Sequence, residues 1–183
     1  DLHYKHLVLW DSQRLVVAGA YRLGEGKGIL ESQGEKGLYT RSLYNFSPEF
    51  EPYLADGLEL GRSFVNPDYW GKASLDYLWQ GIGAYLAKYP VRYLIGPVSM
   101  SADYPKELVE TLVYFYQRYY AFETPLAEAK IPYELSLDAV LRNEALFGES
   151  CPEDAFKVMQ SEFSRLNCKF PVLFKQYMSL FDY

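Results

Sequence analysis

A glutamate and an arginine three residues apart, Glu59 and Arg62, stand inside the apolar run "LELGRSFV" at positions 58–65. A carboxylate in such a place can take a proton from an ammonium group, directly or through water. An arginine can hold a substrate carboxylate, orient the glutamate, or offset developing charge. Arg22, in "AYRL", adds a second cation in another apolar run. Ideal strand alternation puts Glu59 and Arg62 on opposite faces, unless a bulge at Gly61 intervenes. The purely structural alternative is a salt-bridge network of Glu59 with Arg62 or Arg22.

These residues need a scaffold, and 183 residues with 49% hydrophobic content are enough to bury one. The net charge of -6 argues against a nucleic-acid partner and against a broadly anionic membrane as a target. Cys151 and Cys168 have no ligand company and read as free thiols in a reducing compartment. His3 and His6 have no carboxylate cluster beside them, so no metal site is expected. No run of about 18 apolar residues predicts a membrane span, and nothing at Asp1 resembles a signal peptide. The 18 tyrosines suit broad half-polar surfaces as well as a core.

The pattern along the chain predicts a hairpin from "HLVLW" (6–10) and "LVVAGAYRL" (15–23), joined through "DSQR". The glycine-rich, charged segment 24–37 reads as a mobile loop, and 38–46 as a third strand. Ser47-Pro48-Glu49 is a helix start, with the helix ending near Asp56-Gly57. A strand over 58–65 follows, then a helix from Ala73 carrying Leu75, Leu78, Trp79, Ile82 and Leu86 at helical spacing until Pro90. A strand over 91–100 and a helix opened by Asp103 and Pro105 complete the alternation, with Leu108, Leu112, Phe115 and Tyr119 on one face. The expected fold class is α/β: a mixed twisted sheet, antiparallel at the hairpin and parallel between 58–65 and 91–100, with helices on its faces. Segments 131–148, with a Ser136 cap, 153–166 and 171–181 predict a helical C-terminal part over 131–183. The stripe of the last helix most simply closes a core, with a membrane surface or an acyl chain as alternatives.

The segments "AGAYRL", "LELGRSFVNPDYWGKASLDYLWQGIGAYL" and "VRYLIGPVSM" together resemble the GNAT superfamily. Within it they resemble the branch of bacterial ornithine-lipid-type N-acyltransferases, often labelled hemolysin-like, which is similar to the acyl-homoserine-lactone synthases. The resemblance covers roughly residues 5–135. It implies one GNAT-like domain over 1–183, lacking the family's first strand and helix and its final strands. It also implies splayed central parallel strands that bind the pantetheine arm of an acyl donor. The turn "PDYWGKAS" would then offer Gly71, Lys72 and Ser74 to the donor phosphate at a helix start. Val65 and Asn66 would line the arm, and Ser99 would hydrogen-bond donor or acceptor; an ordinary helix-start turn and a solvated strand-end serine are the plain alternatives.

The usual GNAT signature, a glutamine or arginine followed by two spaced glycines, is absent. Acyl carrier protein is therefore the expected donor and partner, ahead of coenzyme A, with no permanently bound cofactor. The resemblance makes Glu59 the base and gives Arg22 and Arg62 to the acceptor or the developing charge. The expected reaction moves a long, 3-hydroxylated in one version, acyl chain onto the amine of a small amino acid in lipid synthesis. A cytoplasmic enzyme touching the inner membrane face peripherally is the matching location. Autoinducer synthesis is the enzymatic alternative. A non-catalytic GNAT-like module serving a larger lipid enzyme is the alternative outside catalysis.

Overall fold

A computed structural model describes residues 3–178. The chain divides into two compact units, residues 1–97 with 126–131 and residues 98–125 with 132–183.

The first unit is built on a four-stranded sheet of β1 (Tyr4–Asp11), β2 (Val16–Glu25), β4 (Gly57–Val65) and β5 (Tyr93–Ile95) in the order β1-β2-β4-β5. The expected hairpin is β1 and β2, paired antiparallel from Tyr4↔Gly24 onward. β2 and β4 are antiparallel, and β4 and β5 are parallel through Gly57↔Tyr93, Leu58↔Leu94 and Glu59↔Ile95. The mixed sheet is thus as expected, but its last strand is three residues long, not ten. Gly96 ends it: a Cβ there would lie 2.3 Å from the Leu60 carbonyl oxygen. β4 continues to Val65 after this ladder stops.

Segment 24–37 is not a loop. It forms α1 (Gly26–Gln33) and a 3-10 turn, Glu35–Gly37. Ile29 buries into a cluster with Leu38 and Leu54, and that tertiary contact outweighs the weak helix propensity of Gly26 and Gly28. Nor is 38–46 a single strand: α2 (Thr40–Leu43) precedes the short β3 (Tyr44–Phe46). β3 stays out of the main sheet and pairs with β6 (Ala127–Ala129), a strand without enough length to register as a sequence pattern. The helix start at Ser47-Pro48 appears as a 3-10 turn, Pro48–Phe50, running into α3 (Glu51–Ala55).

α4 (Ser74–Lys88) covers the sheet face that carries Leu7 and Tyr21. A Cβ at Gly81 would come within 2.9 Å of Leu7, and Trp79 meets Tyr21 edge-on at 6.3 Å. Leu78 and Ile82 are buried there. α1 and α3 use the other face, where Tyr4 packs against the Ile29, Leu38 and Leu54 cluster.

The second unit is helical. It contains α5 (Lys106–Tyr119), α6 (Leu137–Phe147), α7 (Pro152–Arg165) and α8 (Val172–Met178). Its core joins Leu108, Leu112 and Phe115 to Phe147, Met159 and Phe163. Ser136 caps α6 by accepting from Ala139 N at 3.2 Å, as its position predicts. α5 belongs to the same compact unit as α6, α7 and α8. The expected helix over 171–181 is described to Met178; its last three residues lie outside the described residues. Cys151 and Cys168 are free thiols. No helix among the described residues is long and apolar enough to cross a membrane.

Candidate active site

Glu59 is 2% exposed and lies in the half of β4 that is buried on both faces. A buried carboxylate must be satisfied by donors. Here Oε2 accepts from the Tyr4 hydroxyl and from Tyr39 N at 3.0 Å, and Oε1 accepts from Thr40 N at 2.6 Å. The two amides belong to the start of α2, so Glu59 caps that helix from a neighbouring strand. No salt bridge to Arg22 or Arg62 is among its contacts. Neither arginine supplies the compensation that the structural alternative assigned to it.

Tyr4 reaches Glu59 by lying across β2. Register places Tyr4 beside Gly24, and Gly24 beside Glu59. A Cβ on Gly24 would sit 2.4 Å from the Tyr4 ring. Only a glycine leaves room for that ring to cross the strand. Gly37 O lies 3.0 Å from the Tyr4 hydroxyl and shares its single proton with Glu59, and the hydroxyl oxygen accepts from Tyr39 N at 3.1 Å. Burial, with Glu59 accepting its proton, pushes the phenol up from 10.0 to about 12.

This shift carries a pH signature. A group with a raised folded pKa contributes stability below its unfolded pKa and loses it as pH rises through the folded one. Tyr4 should therefore hold its full contribution below about pH 10 and lose it between 10 and 12. In alkaline melts, Tyr4→Phe should decline less steeply than wild type over that window. Parallel declines would show that Tyr4 is not protected.

The pairing of β2 with β4 skips a register step: Ala20 faces Phe64, and Arg22 faces Gly61. Two steps on β2 thus match three on β4, which is a bulge. Its distortion falls on Arg62, whose φ is 45°, a left-handed conformation costing an L-residue roughly 1–2 kcal/mol. Strict alternation would have sent Arg62 away from Glu59. Instead, its guanidinium stands 5.9 Å from the Tyr39 ring centre, and that of Arg22 stands 5.5 Å from the same ring. Arg22 also stacks on Tyr4 at 4.1 Å. Glu59, Arg22 and Arg62 are therefore brought to one region, linked through Tyr4 and Tyr39.

Beyond the bulge, β4 runs into the turn expected to meet a donor. Asn66 Oδ1 accepts from Asp68 N at 3.1 Å, and the Trp70 indole donates to Val65 O at 2.8 Å. Gly71 has φ 73°, where a side chain would be strained. Lys72 donates to Asp68 O at 3.0 Å and lies 5.0 Å from the Tyr69 ring centre. Ser74 is buried, with its hydroxyl 3.4 Å from Tyr69 O. The N-cap residue of α4 is Ala73, which makes no side-chain cap hydrogen bond to the first amides. Val65, Asn66, Gly71, Lys72 and Ser74 are thus gathered in one strand-turn-helix corner, with the Val65 carbonyl engaged by Trp70. Ser99 falls in the second unit. Among the described residues, no three His, Cys, Asp or Glu side chains converge as a metal site.

Tyr4, Tyr39, Thr40 and Gly24 are absent from the residues singled out in the sequence. A signal for Tyr4 existed: a glycine opposite an aromatic in a hairpin allows the ring to cross. It becomes readable only once the register is known.

Residues 1–80 match the Acetyltransferase (GNAT) domain. The chain is 31% identical, over 97% of its length and 57% of the relative's, to a glycine N(alpha)-acyltransferase of Phocaeicola vulgatus. It is also 31% identical to one of Bacteroides thetaiotaomicron, over 97% of this chain and 55% of that protein. An L-ornithine N(alpha)-acyltransferase of Brucella abortus is 32% identical over 55% of this chain and 37% of its own. The chain thus spans a little over half the length of the first two relatives. No solved structure is significantly similar. A GNAT domain match thus covers the strands that carry Arg22, Glu59 and Arg62, and nearly the whole chain is similar to part of two proteins named as glycine N(alpha)-acyltransferases.

Proposed function

We propose that this protein transfers a fatty acyl group from a pantetheine thioester to the α-amine of a small amino acid. The observation that carries the reading is the β4–β5 pair. Its parallel ladder covers three residue pairs, after which β4 extends past Gly61 and Arg62 to the uncapped start of α4. A strand edge without a ladder can hydrogen-bond an extended amide-bearing arm, and the helix start can meet its phosphate. The names of the relatives support an amino acid as acceptor, glycine and ornithine both being α-amino acids.

In this reading the acceptor nitrogen forms a bond to the thioester carbon and the C–S bond breaks. The ammonium acceptor sheds two protons to become an amide N–H. One ends on the leaving thiolate, and the other passes through the Tyr4 hydroxyl or water to Glu59 and then to solvent. Arg22 and Arg62 orient the acceptor or offset charge on the thioester oxygen. Lys72, Ser74 and the amides after Gly71 hold the donor phosphate, and Val65 and Asn66 flank the arm. Acyl carrier protein is the proposed donor, with long and 3-hydroxylated chains as its cargo; lipid synthesis at the membrane surface is the matching setting.

The test is product analysis by mass. The full-length protein is incubated with acyl carrier protein or coenzyme A carrying the same chains, and with glycine, ornithine and other amines. N-acyl amino acid is expected, with more from the carrier protein than from coenzyme A. Equal or better turnover with acyl coenzyme A overturns the donor preference, and no acylated amine from any pair overturns the activity.

A further inference from the structure

α2 is four residues long, too short to be held by its own ladder. Its two ends are held from elsewhere in the fold. At the start, Tyr39 N and Thr40 N donate to Glu59. At the other end, each carbonyl of the helix has a donor. Thr40 O accepts from Tyr44 N, where the chain turns into β3. The remaining carbonyls are all taken by one residue, Lys130. Its ammonium donates to Arg41 O at 2.7 Å and to Ser42 O at 3.2 Å, and its backbone N–H donates to Leu43 O at 2.9 Å. A cation at the carbonyl end of a helix also suits the helix dipole. Lys130 directly follows β6, so the β3–β6 ladder, from Tyr44↔Ala129 to Phe46↔Ala127, fixes where it stands.

A carboxylate and an ammonium thus clasp one short helix from opposite ends. The start of that helix also carries the Tyr39 ring, beside which the guanidiniums of Arg22 and Arg62 stand at 5.5 Å and 5.9 Å. A shift of α2 moves this ring and the two amides on Glu59 together. We propose that Lys130 is a positioning residue for Glu59: by closing α2 from its carbonyl end, it sets the amides that fix the carboxylate. The proposal rests on the acyltransferase reading, in which Glu59 is the base. It deepens that reading by adding a residue that acts through the helix and not on the substrate. A base slightly out of place costs rate more than it costs binding.

The experiment uses the full-length protein with glycine and a hexadecanoyl group on acyl carrier protein or coenzyme A, whichever is turned over. Lys130→Met keeps an unbranched stem and removes the charge and its donors; Lys130 is exposed, so the fold should stand. The variant should lower kcat per folded molecule by about tenfold, with the KM for donor and for glycine changed by less than about twofold. Lys130→Arg keeps a cation that can donate and should recover most of the rate. Amide exchange gives a readout apart from turnover: Tyr39 and Thr40 N–H should exchange about tenfold faster in Lys130→Met, while the β1–β2 amides keep their wild-type rates. In a Glu59→Gln background, Lys130→Met should cost no further rate, because both changes act through one carboxylate. Wild-type turnover by folded Lys130→Met overturns this inference and leaves the acyltransferase reading standing. Unchanged exchange at Tyr39 and Thr40, or a loss that multiplies fully with that of Glu59→Gln, overturns it equally. Failure of the wild type to acylate any amine overturns the acyltransferase reading, and the role of Lys130 with it.

Discussion

Gly96→Ala should destabilise the first unit by about 3 kcal/mol and lower its melting temperature by roughly 10 °C. The added Cβ would lie 2.3 Å from Leu60 O and 3.3 Å from Leu60 C, and both are backbone atoms of the central strand. Neither can swing aside as a flexible side chain could. The φ of 157° adds conformational strain for any L-residue. Relief requires the end of β5 to move off β4, at the point where the ladder of three pairs stops. Acyl-donor binding should therefore weaken along with stability. Gly83→Ala is the matched control: it lies in the exposed face of α4, and its Cβ would meet nothing within 4 Å. That change should stabilise by about 0.5–1 kcal/mol through helix propensity. Thermal melts of the two variants decide the matter. A Gly96→Ala protein melting within about 2 °C of wild type would mean that the close approach is not structural.

The parts legible in the sequence are those governed by local periodicity. The hairpin, α4 and the cap at Ser136 follow from alternation, 3.6-residue spacing and a capping hydroxyl. The parts that were not legible depend on distant partners. α1 looks like a loop because Gly26, Gly28 and its charges hide one anchoring residue, Ile29, whose burial needs Leu38 and Leu54. The run 91–100 looks like one long strand, yet Gly96 and Pro97 end it after Ile95. At the site, residue types could be read but relations could not. Glu59 and Arg62 were visible as a pair. Their convergence depends on a bulge that alternation alone cannot place, and the satisfaction of Glu59 depends on Tyr4, 55 residues away. The glycines that permit these relations, Gly24 and Gly61, show their reason only against neighbours in register.

Glu59→Gln should lower turnover per folded molecule by about 10²–10⁴, or roughly 3–5 kcal/mol for the upper half of that range, the usual loss for a general base. It should also lower stability by about 2–4 kcal/mol, because hydrogen bonds to a charged acceptor are worth about 1.5–3 kcal/mol each. Glutamine keeps one carbonyl, which can serve Thr40 N. Its amide then faces Tyr39 N–H and the Tyr4 hydroxyl, both of which donate to Glu59 in the wild type. Tyr4 can turn and accept from that amide; Tyr39 N–H retains only its 3.1 Å bond to Tyr4. The two effects must be separated, since a partly unfolded sample would imitate lost catalysis. Circular dichroism gives the folded fraction, and single-turnover rates are scaled to it. Wild-type turnover per folded molecule would reduce Glu59 to a helix-capping residue, with the acceptor's proton leaving by another route. Tyr4→Phe supplies the second arm of a cycle. If the proton passes through the Tyr4 hydroxyl to Glu59, the two residues act as one unit and their losses do not add. The double variant should then be no slower than Glu59→Gln alone. Fully multiplied losses would instead show that the two side chains contribute independently, and the Tyr4 relay would be wrong.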